Sequence, residues 1–223
     1  MFKKLLEIFK TKEKSPQQTT KKKPSKPKVE STRIGELGEH KINIQMDQLP
    51  KDCRHLHDLL IPNSKSKTGY SQVDHVVVSP YGIFVIETKN YNGEIKGARG
   101  DKQWSVSNRF KMYNPIMQNY GHIKALEALL PSNPNLRFIS MVSFTMRCRF
   151  SIDPELRKIQ SDELIVYDVE LSEFIERKLL RLKAEEAPAL SAEEVKRTYE
   201  RIRQANIEDL VVRRQHVERI RSK

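Results

Sequence analysis

Residues 72–90 read QVDHVVVSPYGIFVIETKN. Two runs rich in β-branched and aromatic residues flank Ser79-Pro80-Tyr81-Gly82. Pro and Gly favour a tight turn at such positions, so the stretch is a buried β-hairpin. A loop centred on Pro80 and Tyr81 pairs Val78 with Ile83. In that register Asp74 falls opposite Glu87. Asp74, Val76 and Val78 then share one face with Ile83, Val85, Glu87 and Lys89, while Val73, His75 and Val77 share the other with Phe84, Ile86 and Thr88.

This register sets two carboxylates side by side, with a lysine two residues along. Directly opposed like charges destabilise a strand pair, and an unpaired buried charge is costly. A salt bridge from Lys89 to one carboxylate is the plain reading, and it leaves the other carboxylate unexplained. A divalent cation explains both. Two carboxylates, a backbone carbonyl and waters suit an octahedral Mg²⁺ or Mn²⁺. Such an ion polarises a phosphate and lowers the pKa of a bound water. Lys89 would hold that water or offset charge developing on phosphorus.

The rest of the chain supplies cover for the hairpin. Residues 31–49 carry a Ser/Thr cap and a mixed helical pattern through Ile34, Leu37, Ile44 and Leu49. LHDLLIPN at 56–63 reads as a strand entering a polar loop, and residues 93–106 as two short strands around a turn. Pro115 follows Asn114 at a helix start, and Ile116, Tyr120, Ile123, Leu126 and Leu130 trace one face. Strands follow at LRFISMVSFT and LIVYDV, then an amphipathic helix at ELSEFIERKLLRLK. This order predicts an α/β (α+β) domain over residues 31–183 with a central mixed sheet flanked by helices. Residues 184–223 form a C-terminal extension of two charged helices, divided at QANIED, where Asn206 caps the second with Asp209 at N3.

Residues 1–30 hold ten lysines against three glutamates, so more than half of the net charge of +12 lies there. Lysine, proline and almost no apolar side chain make residues 11–30 a flexible tail. A basic tail favours polyanions, and Lys21, Lys22 and Lys23 are its densest run. The decapeptide MFKKLLEIFK is apolar and flanked by lysines, so residues 1–28 are also suited to weak contact with an anionic membrane surface. It is too short for a signal sequence. No apolar run approaches the roughly 20 residues that span a bilayer. With two widely spaced cysteines and no disulfide framework, the expected location is cytoplasmic, with peripheral membrane attachment as a second reading.

Asp followed by Glu-x-Lys at the end of a hairpin resembles the PD-(D/E)XK nucleases of the restriction-endonuclease-like fold. GELGE at 35–39, the hairpin running on to Ile95, Trp104, and NPIMQNYGHIKAL at 114–126 together resemble the NERD (nuclease-related) domain, over roughly residues 33–145. The resemblance implies a metal-dependent nuclease, acting on DNA more readily than RNA. It makes Asp74 and Glu87 metal-binding carboxylates, Lys89 the catalytic lysine and the Thr88 carbonyl a backbone ligand. It makes Glu39 an upstream acidic residue and Gln118 part of a Q-x-x-x-Y helix, in which His122 stands where the motif has Tyr. His122 can bind phosphate when protonated.

Plainer roles stay open for several of these. Gln118 can cap a backbone group, His122 can be solvated, and Glu39 can complement its own helix start. Tyr91, Trp104 and Tyr113 are candidates to stack on bases or to fill core. His55 and His57 share a strand face near Cys53, and His75 faces away from the carboxylates. A nucleic-acid-binding module of nuclease-like fold without turnover, acting with an unidentified protein partner or at a membrane, is the alternative to an enzyme.

Overall fold

The computed structural model describes residues 41–221 of the 223-residue chain. Residues 41–46 are helical (α1), and nine strands and four more helices follow. The strands are β1 (Arg54–Pro62), β2 (Tyr70–Ser79), β3 (Gly82–Lys89), β4 (Gly93–Gly97), β5 (Gln103–Val106), β6 (Phe110–Tyr113), β7 (Phe138–Phe144), β8 (Cys148–Ile152) and β9 (Glu163–Tyr167). The helices are α2 (Pro115–Leu129), α3 (Leu171–Glu185), α4 (Ala192–Ala205) and α5 (Leu210–Arg221).

The fold is α+β, with a restriction-endonuclease-like core and two mixed sheets where one was expected. The larger has the order β1-β2-β3-β7-β9, antiparallel through β3 and parallel beyond it. The second has the order β6-β5-β4-β8. Its strands β6 and β8 were not foreseen. FKMY and CRFSI are short and carry charges, and they become strands only by pairing with β5 and β4.

Alternation along β3 divides the core. Phe84 and Ile86 pack with Ile42 and Met46 of α1 and with Phe174, Ile175 and Leu179 of α3. Ile83 and Val85 pack on the other side with Ile123 and Leu126 of α2 and with Val195 and Ile202 of α4. Trp104 and Ile95 join the second sheet to Val142 and Phe144 of β7. The hairpin register is the one expected, Val78 against Ile83, with Ser79 Oγ donating to Gly82 O at 2.7 Å. Gly82 has φ +148°, and a Cβ there would lie 2.7 Å from Arg137 O, so only glycine fits the turn.

Two expectations about the helices need correction. Tyr120 is 57 % exposed, because α2 turns Asn119 and His122 inward in its place. Asn206 ends α4 and does not cap α5: its Oδ1 accepts from Leu60 N at 2.8 Å, while Ile207 N donates to Leu60 O at 2.8 Å. The C-terminal extension thereby covers the edge strand β1, whose backbone groups would otherwise be open to pairing. Asp209 caps α5, accepting from Val211 N and Val212 N. No helix among the described residues is long and apolar enough to cross a membrane.

Asn114 fixes the start of α2. Its buried Oδ1 accepts from Ile116 N at 2.9 Å, and its Nδ2 donates to Arg99 O at 3.0 Å and Asp101 O at 2.7 Å. One side chain caps the helix and ties it to the β4–β5 connection. Asn114→Ala is expected to cost roughly 2–4 kcal/mol, from the lost cap and the stranded carbonyls. Asn114→Asp keeps the capping oxygen but turns a buried carboxylate oxygen towards the two carbonyls, and should cost more. Urea denaturation followed by Trp104 fluorescence checks this, and equal costs for the two variants would refute it.

Candidate functional site

The parallel pairing of β3 with β7 carries Glu87 and Lys89 to the end of the large sheet, where α2 crosses them. Asn119 seats the helix there: its Nδ2 donates to Val85 O at 2.8 Å and to Ser140 Oγ at 2.9 Å. Gln118 and His122, one turn apart on α2, both reach Glu87. Glu87 is 4 % exposed. Its Oε1 accepts from Lys89 Nζ at 2.5 Å and from Gln118 Nε2 at 2.7 Å, while His122 Nε2 lies 3.2 Å from Oε2. Lys89 Nζ also donates to Gln118 Oε1 at 2.9 Å, closing a ring of contacts. Burial alone would push the Glu87 carboxyl up, but His122 and the Lys89 charge outweigh it and hold it below its ordinary range.

Asp74 is set apart from that ring. The β2–β3 ladder ends at His75↔Ile86, so the expected directly opposed pair of Asp74 and Glu87 does not form. Asp74 Oδ2 instead accepts from Thr88 N and Thr88 Oγ1, each at 2.7 Å. Where strands separate, a side-chain oxygen can take the place of a ladder acceptor. Burial, followed by the Glu87 charge, pushes the Asp74 carboxyl up to about 6, against the opposing pull of Thr88 and Lys89. Among the described residues nothing donates to Asp74 Oδ1.

Behind Asp74 lies a cavity of about 30 Å³ lined by Asn43, His57, Asp58, Gln72, Asp74 and His75. His75 was expected to face away from both carboxylates, yet it shares this cavity with Asp74. It is 1 % exposed, and burial together with the neighbouring His57 and His55 lowers its pKa to about 3, so it is neutral. Its ring stands 6.4 Å from that of His57, its cross-strand partner. The histidines of β1 thus gather round His75 and not round Cys53. Asp58 has φ +49°, and Arg213 of α5 holds both its carbonyl, at 3.1 Å, and its carboxylate, at 2.5 Å. Asp58 falls opposite Asp74, where the β1–β2 ladder skips one pair without a change of register.

The structure therefore brings Asp74, Glu87, Thr88, Lys89, Gln118 and His122 together. Glu39, Lys21, Lys22, Lys23 and the membrane contact expected of residues 1–28 lie outside the described residues. Trp104 is fully buried, with Nε1 donating to Ala98 O at 2.9 Å, so it is core and not a stacking residue. Asn119 and Arg213 were missed. An asparagine on an otherwise apolar helix face was the available signal for Asn119. Arg213, far along the chain, gave none. Among the described residues, no group of three His, Cys, Asp or Glu side chains is arranged to hold a metal.

An α+β core of this topology, ending in Asp74 and a Glu-x-Lys strand, is of the restriction-endonuclease-like class. The family model of the nuclease-related domain, NERD, matches residues 34–145. An uncharacterized protein of Bacillus anthracis is 30 % identical over 193 residues, covering 85 % of this chain and 84 % of that protein. The chain belongs to the nuclease-related-domain family. No solved structure matches it.

A carboxyl with a raised pKa binds its proton more tightly in the folded state than in the unfolded one. Asp74 therefore leaves the fold at full stability below pH 4 and weakens it as pH rises through about 6. Asp74→Asn keeps an acceptor for Thr88 and removes the charge. In EDTA it should be more stable than wild type at pH 8, by roughly 2–3 kcal/mol, and no more stable at pH 4. Urea denaturation at the two pH values measures this. A variant no more stable than wild type at pH 8 would show that Asp74 is not electrostatically strained.

Proposed function

We propose that this protein is a metal-dependent nuclease that hydrolyses phosphodiester bonds, with DNA favoured over RNA. One observation carries the reading. Lys89, Gln118 and His122 converge on the buried carboxylate of Glu87, and a second carboxylate with a raised pKa stands beside it. A purely structural ion-pair network has no need of the second, destabilising carboxylate.

The donor set suits Mg²⁺ or Mn²⁺, which prefer carboxylate and carbonyl oxygens. Asp74, through its open Oδ1, and Glu87 would hold the ion, with the Thr88 carbonyl. In an extended strand a residue's N–H and C=O point to the same side, so this carbonyl faces the gap in which Asp74 takes the Thr88 N–H. A bound cation would relieve the repulsion between the carboxylates, polarise the phosphate and make a water acidic. Lys89 Nζ, oriented by Gln118, would hold the attacking water and offset charge gathering on the phosphoryl oxygens. His122 would keep Glu87 in place and, when protonated, meet a phosphate oxygen. Glu39, the upstream acidic residue that the family resemblance implies, would be a further carboxylate for the same centre. Lys21, Lys22 and Lys23 would add affinity for any phosphate backbone.

Purified protein should cut DNA in Mg²⁺ or Mn²⁺ and not in EDTA. Asp74→Ala and Lys89→Ala should each lower the rate roughly 100-fold or more. Calorimetry with Mn²⁺ alone should show binding to wild type and none to Asp74→Ala. Oligonucleotide binding without cutting and without Mn²⁺ uptake would favour the non-catalytic binding module. Deleting residues 1–30 should flatten the salt dependence of binding, by about 2–3 in the log–log slope if the three lysines each neutralise a phosphate. An unchanged slope removes the tail from that role.

A further inference from the structure

The chain leaving Lys89 enters a tightly built ledge. Tyr91 lies two residues on, and its ring stands 5.8 Å from that of Phe110, tilted by 48°. Phe110 follows the β5–β6 turn, where Ser107 and Asn108 have φ +53° and +54° and Arg109 N donates to Val106 O at 3.0 Å. Two residues with positive φ make this a hairpin turn that non-glycine residues adopt only at a cost. The turn is tied back to the chain behind Tyr91. Ser107 N donates to Glu94 O at 2.7 Å, and Glu94 N donates to Ser107 Oγ at 3.1 Å. Gly93, at φ +97°, lies so close that a Cβ would come within 2.0 Å of Ser107 Oγ. Three positive-φ residues thus hold two rings side by side, with Tyr91 two residues beyond Lys89 in the chain.

Packing does not explain the ring at the end of this ledge. Phe110 is 50 % exposed. Arg109, next to Phe110 in the chain, and Arg147 are exposed, and neither has an acidic partner among the described residues, while Lys96 and Lys111 lie with Ser105 on the other face of this sheet. Arg147 is steered towards the site, donating to Asn90 Oδ1 at 3.4 Å, and Thr145 Oγ1 bonds the same oxygen at 3.2 Å. A rigid aromatic ledge beside exposed cations is an arrangement by which proteins take unpaired bases: rings receive the base faces and cations follow the backbone. In a duplex those base faces are stacked on each other and closed to a protein ring.

We propose that the Tyr91–Phe110 ledge is a stacking platform for unpaired bases, so that the strand delivered to Glu87 and Lys89 is single-stranded nucleic acid. This rests on the nuclease reading for its catalytic end and extends it to a substrate class.

The test is fluorescence anisotropy of a labelled single-stranded oligonucleotide and of the same sequence as a blunt duplex, with the full chain in EDTA. Wild type should bind the single strand at least about tenfold more tightly. Phe110→Ala should weaken single-strand binding roughly 5- to 100-fold and leave duplex binding unchanged, and Phe110→Trp should restore it. Arg109→Ala should weaken both alike, as a backbone contact does. Equal binding of both forms, or no effect of Phe110→Ala, overturns the inference. Cleavage in Mn²⁺ separates the two readings. A protein that cuts but is indifferent to Phe110→Ala remains a nuclease without this platform. A protein that never cuts, yet needs Phe110 for single strands, keeps the platform and loses the nuclease.

Discussion

Glu87 is a carboxylate at the end of a strand buried on both faces, and the architecture around it answers that single constraint. A lone ion in such a place would take up a proton or unfold its surroundings. Lys89 returns from the same strand to meet it, and Gln118 and His122 come from a helix crossing above. That helix can approach only because its inward face is partly polar, with Asn119 bonding the Val85 carbonyl and Ser140. Its first turn is fixed by Asn114, which also anchors the second sheet. Polar residues on α2 thus do what leucines do elsewhere in the core, with direction added.

Asp74 obeys the opposite logic. Its neighbours satisfy one oxygen and leave the other open, and its charge is held beside that of Glu87 with too little compensation. The two carboxylates are split into a stabilised one and a strained one, although they differ by one methylene in covalent structure. Environment makes the difference. Glu87 has a cation and an imidazole against it, whereas Asp74 has a backbone amide and a hydroxyl. Strain retained in an otherwise well-satisfied core is a common mark of a working site.

The outer elements hold this centre in shape. Ile207 and Asn206 close the edge of β1, and Arg213 grips the positive-φ residue Asp58, which lines the cavity behind Asp74. The charged helices at the C-terminus are therefore built into the wall around the site, though their sequence reads as two solvated helices of unspecified docking. The second sheet does the same on the other flank, where Trp104 fills the space between sheets.

The hairpin register, the start of α2 at Asn114 and the clustering of Asp74, Glu87, Lys89, Gln118 and His122 were legible in the sequence. The register and the helix start rest on short-range rules, since turn chemistry sets which strand residues pair and Pro after Asn starts a helix. The joining of Gln118 and His122 to the hairpin carboxylates rests instead on the resemblance to the nuclease-related domain. The short-range rules failed wherever a side chain bonded to something distant. Asp74 left its expected partner for Thr88 because β2 and β3 diverge one residue pair early. Asn206 left its expected helix for the edge of β1. Tyr120 turned outward because Asn119 found a carbonyl on β3. Strands β6 and β8 exist only through their neighbours, since charged tetra- and pentapeptides have too little strand preference of their own. The sequence by itself determined the local elements and which chemical groups were available. Only the tertiary structure decided which carboxylate is satisfied and which is strained, because that depends on what burial and neighbouring charge bring to each oxygen.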